Sequence, residues 1–272
     1  MDEIAEHNRR GWNRQAREGC RWSIPATPEE IAEARAGRPR IILTPDTAVP
    51  AEWLGDLPGR EVLCLASAGG QQAPLLAAAG ALVTSFDLSE EQLRLDARVA
   101  EREGLDLKTV RGDMRDLSVF ADETFDLVVH VTSNVFCAEI RPVWNECHRV
   151  LRPGGELLSG IMNPAYFLFD WEELDRGEDP VVRFALPYTD KKSLPPERYQ
   201  KLIEDGELLE FSHSLDDQVG GQIDAGFHLV GFFEDGWGEA AALDKWFRTM
   251  LNTRARKPAA RPNSAPGSHH LD

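Results

Sequence analysis

Asp87 is the side chain whose position most clearly predicts chemistry. It ends an apolar run and lies 17 positions past Gly70, which closes a turn of small residues at 66–70. In doubly wound sheets, a carboxylate at about this distance from a tight strand-to-helix turn accepts hydrogen bonds from the hydroxyls of a ribose. Small side chains let the backbone of the turn approach a ligand closely. The pattern predicts a nucleoside site, with a helix N-cap at 87–89 as the alternative.

Two histidines are the candidate general bases. His130 ends the apolar stretch 125–130, and His213 comes shortly before Asp216 and Asp217. An imidazole titrates near neutral pH and is therefore suited to moving a proton. The alternatives are a packed, hydrogen-bonded His130 and a His213 that interacts with one of the two following aspartates. We expect both histidines to be catalytic.

Short apolar runs alternate with helical patterns from Glu61 onward, which is typical of a doubly wound α/β sheet. We predict strands at 61–66, 81–87, 107–110, 125–131, 155–161, 227–233 and 249–256. We predict helices at 71–79, 89–103, 139–150 and 214–225. Ligands of such sheets bind at the carboxyl ends of the strands. This rule places the site at 66–72, 87–89, 112–114 and 130–134.

Several segments resemble, in order and spacing, the motifs of class I S-adenosylmethionine (SAM)-dependent methyltransferases. They are EVLCLASAGG at 61–70 with the later Asp87, RGDMRDL at 111–117, FDLVVH at 125–130, VLRPGGELL at 150–158 and DAGF at 224–227. The resemblance implies a mostly parallel, Rossmann-like sheet of seven strands in the order 3-2-1-4-5-7-6. It also implies in-line transfer of a methyl group from SAM to a small-molecule acceptor, with oxygen or nitrogen as the expected receiving atom.

The resemblance also implies a set of SAM contacts. Asp87 would bind the ribose, and Asp113 with Met114 would bind the adenine. The complete expected set is Trp12, Ala66, Ser67, Ala68, Gly70, Gln71, Gln72, Asp87, Leu88, Ser89, Gln92, Gly112, Asp113, Met114, His130 and Asn134.

The chain departs from the family pattern in the first motif. Cys64 stands where an acidic residue is usual, and Ala66 and Ala68 replace glycines. Alanine fits there if neither position needs a positive φ angle. Gln71 and Gln72 either supply substitute amide contacts or face solvent. Two other functions therefore stay open, an NAD-dependent oxidoreductase and a non-catalytic SAM-binding protein.

Composition favours a small-molecule substrate. The formal net charge is −16, whereas proteins that bind nucleic acid usually carry a basic face. No apolar run approaches the length of a membrane span. The four cysteines are scattered without a C-x-x-C pair, which indicates reduced thiols, no metal site and a cytoplasmic location. We expect neither nucleic acid nor membrane as a partner, and the sequence leaves the oligomeric state open.

The chain divides into three predicted parts. Residues 1–40 form a helical flap, with one helix at 3–18 and another beginning at Thr27-Pro28. Residues 41–256 form the methyltransferase domain, which carries an aromatic-rich cap insertion at 163–212 after the fifth strand. Within the cap we predict an antiparallel pair, 181–186 with 207–211. The tail, 257–272, is predicted to be disordered.

Overall fold

The computed structural model describes residues 2–238 and 241–259. Seven strands form one sheet in the order β3-β2-β1-β4-β5-β7-β6, as predicted. They are β1 (Glu61–Leu65), β2 (Leu82–Asp87), β3 (Leu107–Arg111), β4 (Phe125–His130), β5 (Leu151–Met162), β6 (His228–Asp235) and β7 (Met250–Arg256). Strands β1 to β5 pair in parallel, and β7 is antiparallel to both β5 and β6. The sheet is therefore mixed, with the predicted mostly parallel core.

Helices lie close to the predicted positions at 3–18, 71–79, 89–103 and 139–150, and another begins at Pro28 as predicted. The helices at 51–54, 171–175, 190–193 and 196–205 were not predicted. In chain order, the helices are α1 (Glu3–Glu18), α2 (Pro28–Arg35), α3 (Ala51–Leu54), α4 (Gln72–Ala78), α5 (Glu90–Glu103), α6 (Arg141–Val150), α7 (Trp171–Asp175), α8 (Asp190–Ser193), α9 (Pro196–Asp205) and α10 (Gly221–Asp224). Thr27 and Glu30 form a capping box at the start of α2, so the predicted cap is confirmed. The helix predicted at 214–225 is present, with a π-helical first part, Asp216–Gly220, that continues directly into α10.

The central strand β1 joins two hydrophobic cores, one on each face of the sheet. Val62 and Cys64 belong to the core under α2 and α4, whereas Leu63 and Leu65 belong to the core that contains Trp144 of α6. Successive side chains of a strand point to opposite faces, which explains this division. Both faces of β1 are therefore anchored, and the turn that follows it is held in a fixed place.

The N-terminal helix α1 lies over the carboxyl edge of the sheet. The buried Asn8 amide donates to the carbonyls of Phe136 and Leu209, at 2.9 Å each, and its carbonyl oxygen accepts from the amide of Leu209 at 2.8 Å. One side chain thus joins α1 to the loop after β4 and to the cap. The division into flap, domain and cap stays a prediction, and residues 260–272 of the predicted disordered tail lie outside the described residues.

The antiparallel pair predicted within the cap is wrong. Val182 pairs instead with Phe169, and Phe211 with Thr189, each as an isolated bridge. The amide of Phe211 donates to the carbonyl of Val135 at 2.8 Å, so this segment's backbone is committed to the loop after β4. Packing drives the difference, because the cap forms a small core of its own around Val135, Phe167, Tyr188 and Leu194.

The turn after β1 holds two alanines in the left-handed region. Ala66 has φ 47° and Ala68 has φ 66°, so both positions require the positive φ that the family's glycines adopt freely. The sequence-based condition that neither alanine needs a positive φ is therefore not met. Left-handed backbone costs a residue with a Cβ about 1–2 kcal/mol. The turn is strained at two positions.

Ala68→Gly should stabilise the protein by about 0.5–1 kcal/mol, because relief of the left-handed strain exceeds the extra backbone entropy that glycine loses on folding. Urea unfolding monitored by circular dichroism measures this change in the free energy of unfolding. The matched control is Ala97→Gly on the exposed face of α5, which should lose about 1 kcal/mol. A loss of stability in both variants would contradict the strain argument.

Candidate active site

A cavity of about 430 Å³ opens at the carboxyl ends of β1 to β4. This volume falls within the range of roughly 300–1,000 Å³ that is usual for small-molecule sites. The segments that follow the four strands supply one wall, and they include 66–68, 87–88, 112–115, 131–133 and 135–138. Helix α1 and the cap supply the opposite side. The cavity therefore lies where open α/β sheets bind ligands.

A buried carboxylate fixes the turn after β1. Asp96 of α5 accepts a hydrogen bond from the Gly70 amide at 2.6 Å and another from the Ser85 hydroxyl at 2.6 Å. Burial raises the pKa of Asp96 to about 7. Gly70 itself lies outside the cavity lining, so its predicted SAM contact is replaced by a structural role. Sequence reasoning missed Asp96, although an acid three positions from the buried Leu93 on an amphipathic helix was an available signal.

Asp87 lies at the end of β2 and lines the cavity. Its Oδ1 accepts a hydrogen bond from the Ser89 amide at 2.7 Å, and no described side chain pairs with its carboxylate. Burial raises the pKa of Asp87 to about 7. The N-cap of α5 is Ser89, so the capping alternative for Asp87 is wrong. A carboxylate that faces a cavity without a side-chain partner can accept hydrogen bonds from a ligand.

The loop after β3 carries the predicted adenine contacts, and Gly112, Asp113 and Met114 all line the cavity. The carboxylate of Asp113 is already bound by the Arg115 guanidinium at 2.6 Å. Arg115 also donates to Asp2 at 2.7 Å, and these two acids raise the pKa of the guanidinium further. The loop is therefore tied to the start of α1.

The three glutamines among the predicted SAM contacts already use part of their side-chain amides in hydrogen bonds within the protein. Gln71 Nε2 donates to the Arg21 and Ile24 carbonyls, at 3.0 Å each. The other two glutamines behave alike, since Gln72 Oε1 accepts from the Ile42 amide at 3.1 Å and Gln92 Nε2 donates to Ser23 at 2.9 Å. All three line the cavity, and their amides hold the segment 21–42 over the turn. These side-chain amides therefore neither simply face solvent nor remain wholly free to bind a ligand.

His130 does not line the cavity, which corrects its predicted place in the site. It is fully buried, with Nδ1 3.0 Å from the Leu65 carbonyl and Nε2 2.8 Å from Asn134 Oδ1. Its ring meets Trp144 edge-on, with 5.9 Å between the ring centroids, in the core beneath the sheet. Burial lowers the pKa of the imidazole. The alternative of a packed, hydrogen-bonded histidine describes this residue.

His213, Asn134 and Ser89 are likewise outside the lining. The Nε2 of His213 lies 2.8 Å from the Cys137 carbonyl and 3.1 Å from that of Asn134, and burial lowers the pKa of this imidazole. The Asn134 amide donates to Gln218 at 2.9 Å, and the Ser89 hydroxyl donates to the buried Asn13 at 2.7 Å. These side chains support the loops around the cavity through hydrogen bonds but do not line the cavity themselves. Neither histidine has the substrate contact that a general base needs.

Part of the cavity lining is aromatic and comes from α1, the loop after β4 and the cap. Trp12, Phe136, Tyr166 and Trp171 form this part, and the Trp12 and Phe136 rings meet edge-on with centroids 5.0 Å apart. Trp12 was predicted at the site. A polar group that sequence reasoning missed, Glu210, faces this part of the cavity. Its segment, 207–211, was predicted as one strand of an antiparallel pair, and nothing in the local sequence distinguishes Glu210 from other acids of the cap.

The structure also bears on metals, disulfides and membranes. In the described ranges, no three His, Cys, Asp or Glu side chains come close enough together to ligate one ion. All four cysteines are free thiols. No helix in this described part combines the length and the apolar composition that a bilayer span requires.

Comparisons with known proteins agree with this geometry. A family model described as a methyltransferase domain matches residues 63–159. The uncharacterized methyltransferase YbaJ of Bacillus subtilis is 47% identical over 94% of this chain and 100% of its own length.

Solved structures share the fold at low sequence identity. A SAM-dependent methyltransferase from Mesorhizobium loti superimposes with a TM-score of 0.59 at 18% identity, over 76% of this chain and 94% of its own. The 1,6-didemethyltoxoflavin-N1-methyltransferase of Burkholderia thailandensis, solved with its substrate and S-adenosylhomocysteine, gives 0.58 at 17% identity, over 94% and 89%. The chain belongs to the methyltransferase family of YbaJ, and its fold is that of the class I SAM-dependent methyltransferases.

Proposed function

We propose that this protein transfers a methyl group from SAM to a small-molecule acceptor through oxygen or nitrogen. The observation that carries the proposal is the cavity in which the turn 66–68, the carboxylate of Asp87 and the loop 112–114 converge. The three come at or just after the ends of β1, β2 and β3, which are neighbours in the sheet. A cytoplasmic location and an acceptor other than nucleic acid are part of the same proposal, and the net charge of −16 supports the second point.

The residues present fit SAM. The turn brings its backbone to the cavity wall, because the side chains at 66–68 are small. Asp87 offers a carboxylate without a side-chain partner to the ribose hydroxyls. Cys64, where the family has an acid, is fully buried in the core and does not line the cavity. Asp96 supplies a carboxylate at the same turn from α5, where it secures the backbone rather than the ligand.

The chemistry asks little of the protein beyond positioning. When bound, SAM supplies a methyl group on a sulfonium whose departure is already favourable. The chain's own residues would align the acceptor with that methyl group and exclude water. Asp87 would hold the ribose, Asp113 and Met114 would flank the adenine, and the aromatic part of the cavity would receive the acceptor.

The comparisons give no support to an NAD-dependent oxidoreductase. A non-catalytic SAM-binding protein is disfavoured because the crevice is open and continues into an aromatic-lined space beneath the cap. A protein that only retained the fold would not need that second space. The proposal therefore keeps catalysis.

Asp87→Asn should weaken binding of S-adenosylhomocysteine by about 3 kcal/mol, roughly 100-fold, because two hydrogen bonds to a charged acceptor become weaker or are lost. The apo variant should unfold at a higher temperature than wild type at pH 8. Burial raises the pKa of Asp87 above its value in the unfolded chain, so ionisation destabilises the fold, and the cost grows as pH rises toward about 7. Calorimetric titration and thermal unfolding measure the two effects.

The matched control for this variant is Asp106→Asn, at an exposed acid before β3. It should change neither ligand affinity nor stability appreciably. Unchanged affinity in Asp87→Asn would remove the ribose assignment.

Affinity for S-adenosylhomocysteine should fall as pH drops below about 7, approaching tenfold per pH unit. The reason is that the ribose hydroxyls need the ionised form of Asp87, and the pKa of this carboxyl in the free protein is about 7. Titrations between pH 5.5 and 8.5 measure the dependence. Asp96 titrates in the same range, so Asp87→Asn, which keeps Asp96, serves as the control. A dependence of equal slope in that variant would assign the effect to Asp96 instead.

A further inference from the structure

Glu210 is held beside the loop after β4 by its backbone and its neighbours. Its amide donates to Asp190 Oδ2 at 2.6 Å, and the next amide, from Phe211, donates to the Val135 carbonyl at 2.8 Å. Val135 also lines the cavity and follows the strand adjacent to β1. The Glu210 side chain therefore enters the aromatic part of the cavity from a fixed position.

The carboxylate of Glu210 has no partner within the described residues. No described donor makes a hydrogen bond or an ion pair with it, although other acids in the cap are paired, such as Asp170 with Arg198 at 2.5 Å. Among the described residues that line the cavity, Arg115 is the one basic side chain, and it is bonded to both Asp113 and Asp2. Acidic side chains thus outnumber basic ones in the described part of the lining, and a cationic ligand that stabilises their ionised forms is favoured over an anionic one.

Keeping this acid at the cavity wall costs stability. Burial and, second, the nearby Asp190 raise the pKa of Glu210 to about 8. The other ionisable groups around it are Tyr166 and Tyr188, whose own pKa values burial raises, and Tyr188 donates to Asp190 at 2.7 Å. Arg198, on α9, acts on Asp190. A perturbed carboxyl in a cleft is a common mark of a functional site.

The walls around Glu210 suit an apolar group that carries a positive charge. Trp12, Tyr166 and Trp171 line the same cavity, and Tyr166 lies close enough to Glu210 for the carboxylate to help raise the pKa of the tyrosine. Aromatic faces attract ammonium groups, and the attraction grows when water is excluded. A carboxylate with aromatic walls and no competing cation is the combination that recognises an amine.

We infer that Glu210 binds the nitrogen of an amine acceptor whose apolar body lies among these aromatic side chains, and that Glu210 accepts the proton of that amine. The inference rests on the proposed function and narrows its acceptor to amines. Neither His130 nor His213 reaches the cavity, so Glu210 takes the role that the sequence had assigned to them.

The step balances as follows. The ammonium transfers one proton to the Glu210 carboxylate, which leaves a neutral amine with a free electron pair. That pair forms the bond to the methyl carbon while the carbon–sulfur bond breaks, and its electrons remain on sulfur as a neutral thioether. The positive charge passes from the sulfonium to the methylated ammonium. Glu210 releases its proton to solvent after the product leaves.

The test uses full-length protein saturated with S-adenosylhomocysteine at pH 8.5. A series of arylalkylamines, from benzylamine through phenethylamine to tryptamine, is titrated beside the alcohol of the same shape for each. Wild type should bind at least one amine tenfold or more tightly than its alcohol. Glu210→Gln should reduce that preference below threefold and keep its affinity for S-adenosylhomocysteine. Glu204→Gln, at an exposed acid of α9, is the matched control and should retain the wild-type preference.

Two further readouts separate a chemical role from a structural one. With labelled SAM and the preferred amine, Glu210→Gln should lower kcat at least 100-fold. It should also unfold at a higher temperature than wild type at pH 8.5, because the ionised carboxylate and its repulsion from Asp190 are removed.

The outcomes distinguish the inference from the proposed function. A wild-type protein that binds S-adenosylhomocysteine but prefers no amine would overturn the inference alone, as would a Glu210→Gln variant that keeps the preference. A wild-type protein that does not bind S-adenosylhomocysteine would remove the proposed function.

Discussion

The hydrogen bond from the Gly70 amide to the buried carboxylate of Asp96 is the constraint on which the site depends. It joins the turn after β1 to α5, and the Ser85 hydroxyl extends it to β2. Together with the hydrogen bond from the Ala66 amide to the Phe86 carbonyl, at 2.8 Å, it holds two left-handed alanines, Ala66 and Ala68, in a turn that glycines adopt without cost. The carboxylate of Asp96 is carried by α5, which packs against the sheet. This packing therefore helps to maintain the strained backbone of the turn.

Three acids, Asp87, Asp96 and Glu210, are removed from water around one cavity, and burial raises the pKa of each. Asp96 has two donors and serves the fold. Asp87 has only backbone donors, and Glu210 has no described donor at all. The number of hydrogen-bond donors therefore distinguishes the structural carboxylate from the two that are available to ligands. The pKa direction alone does not distinguish them, because it is the same for all three.

The resemblance to class I methyltransferases implied the sheet order. The alternation of apolar runs with amphipathic helical patterns predicted the strand positions and the longer helices of the domain. The sequence did not predict which way a side chain at a strand end points. His130 follows the carboxyl-end rule in position, yet its ring turns into the core against Trp144. Glu210 depends on how the cap passes over the loop after β4, and such contacts between distant segments leave no local pattern. Asp96 was partly predictable, because a charged residue on the apolar face of a helix can be recognised in the sequence.

Helix α1 is a wall of the cavity that buried hydrogen bonds hold on its inner side and ion pairs hold on its outer side. Trp12 and Asn8 face inward, whereas ion pairs at or near the surface, Asp2 with Arg115 and Arg17 with Glu91, fasten its outer side to the loop after β3 and to α5. Dissolved ions screen such pairs far more than they screen buried contacts. Ionic strength thus acts selectively on this wall, and the rate at which ligands exchange with bulk solvent becomes coupled to the salt around the protein while the sheet stays unaffected.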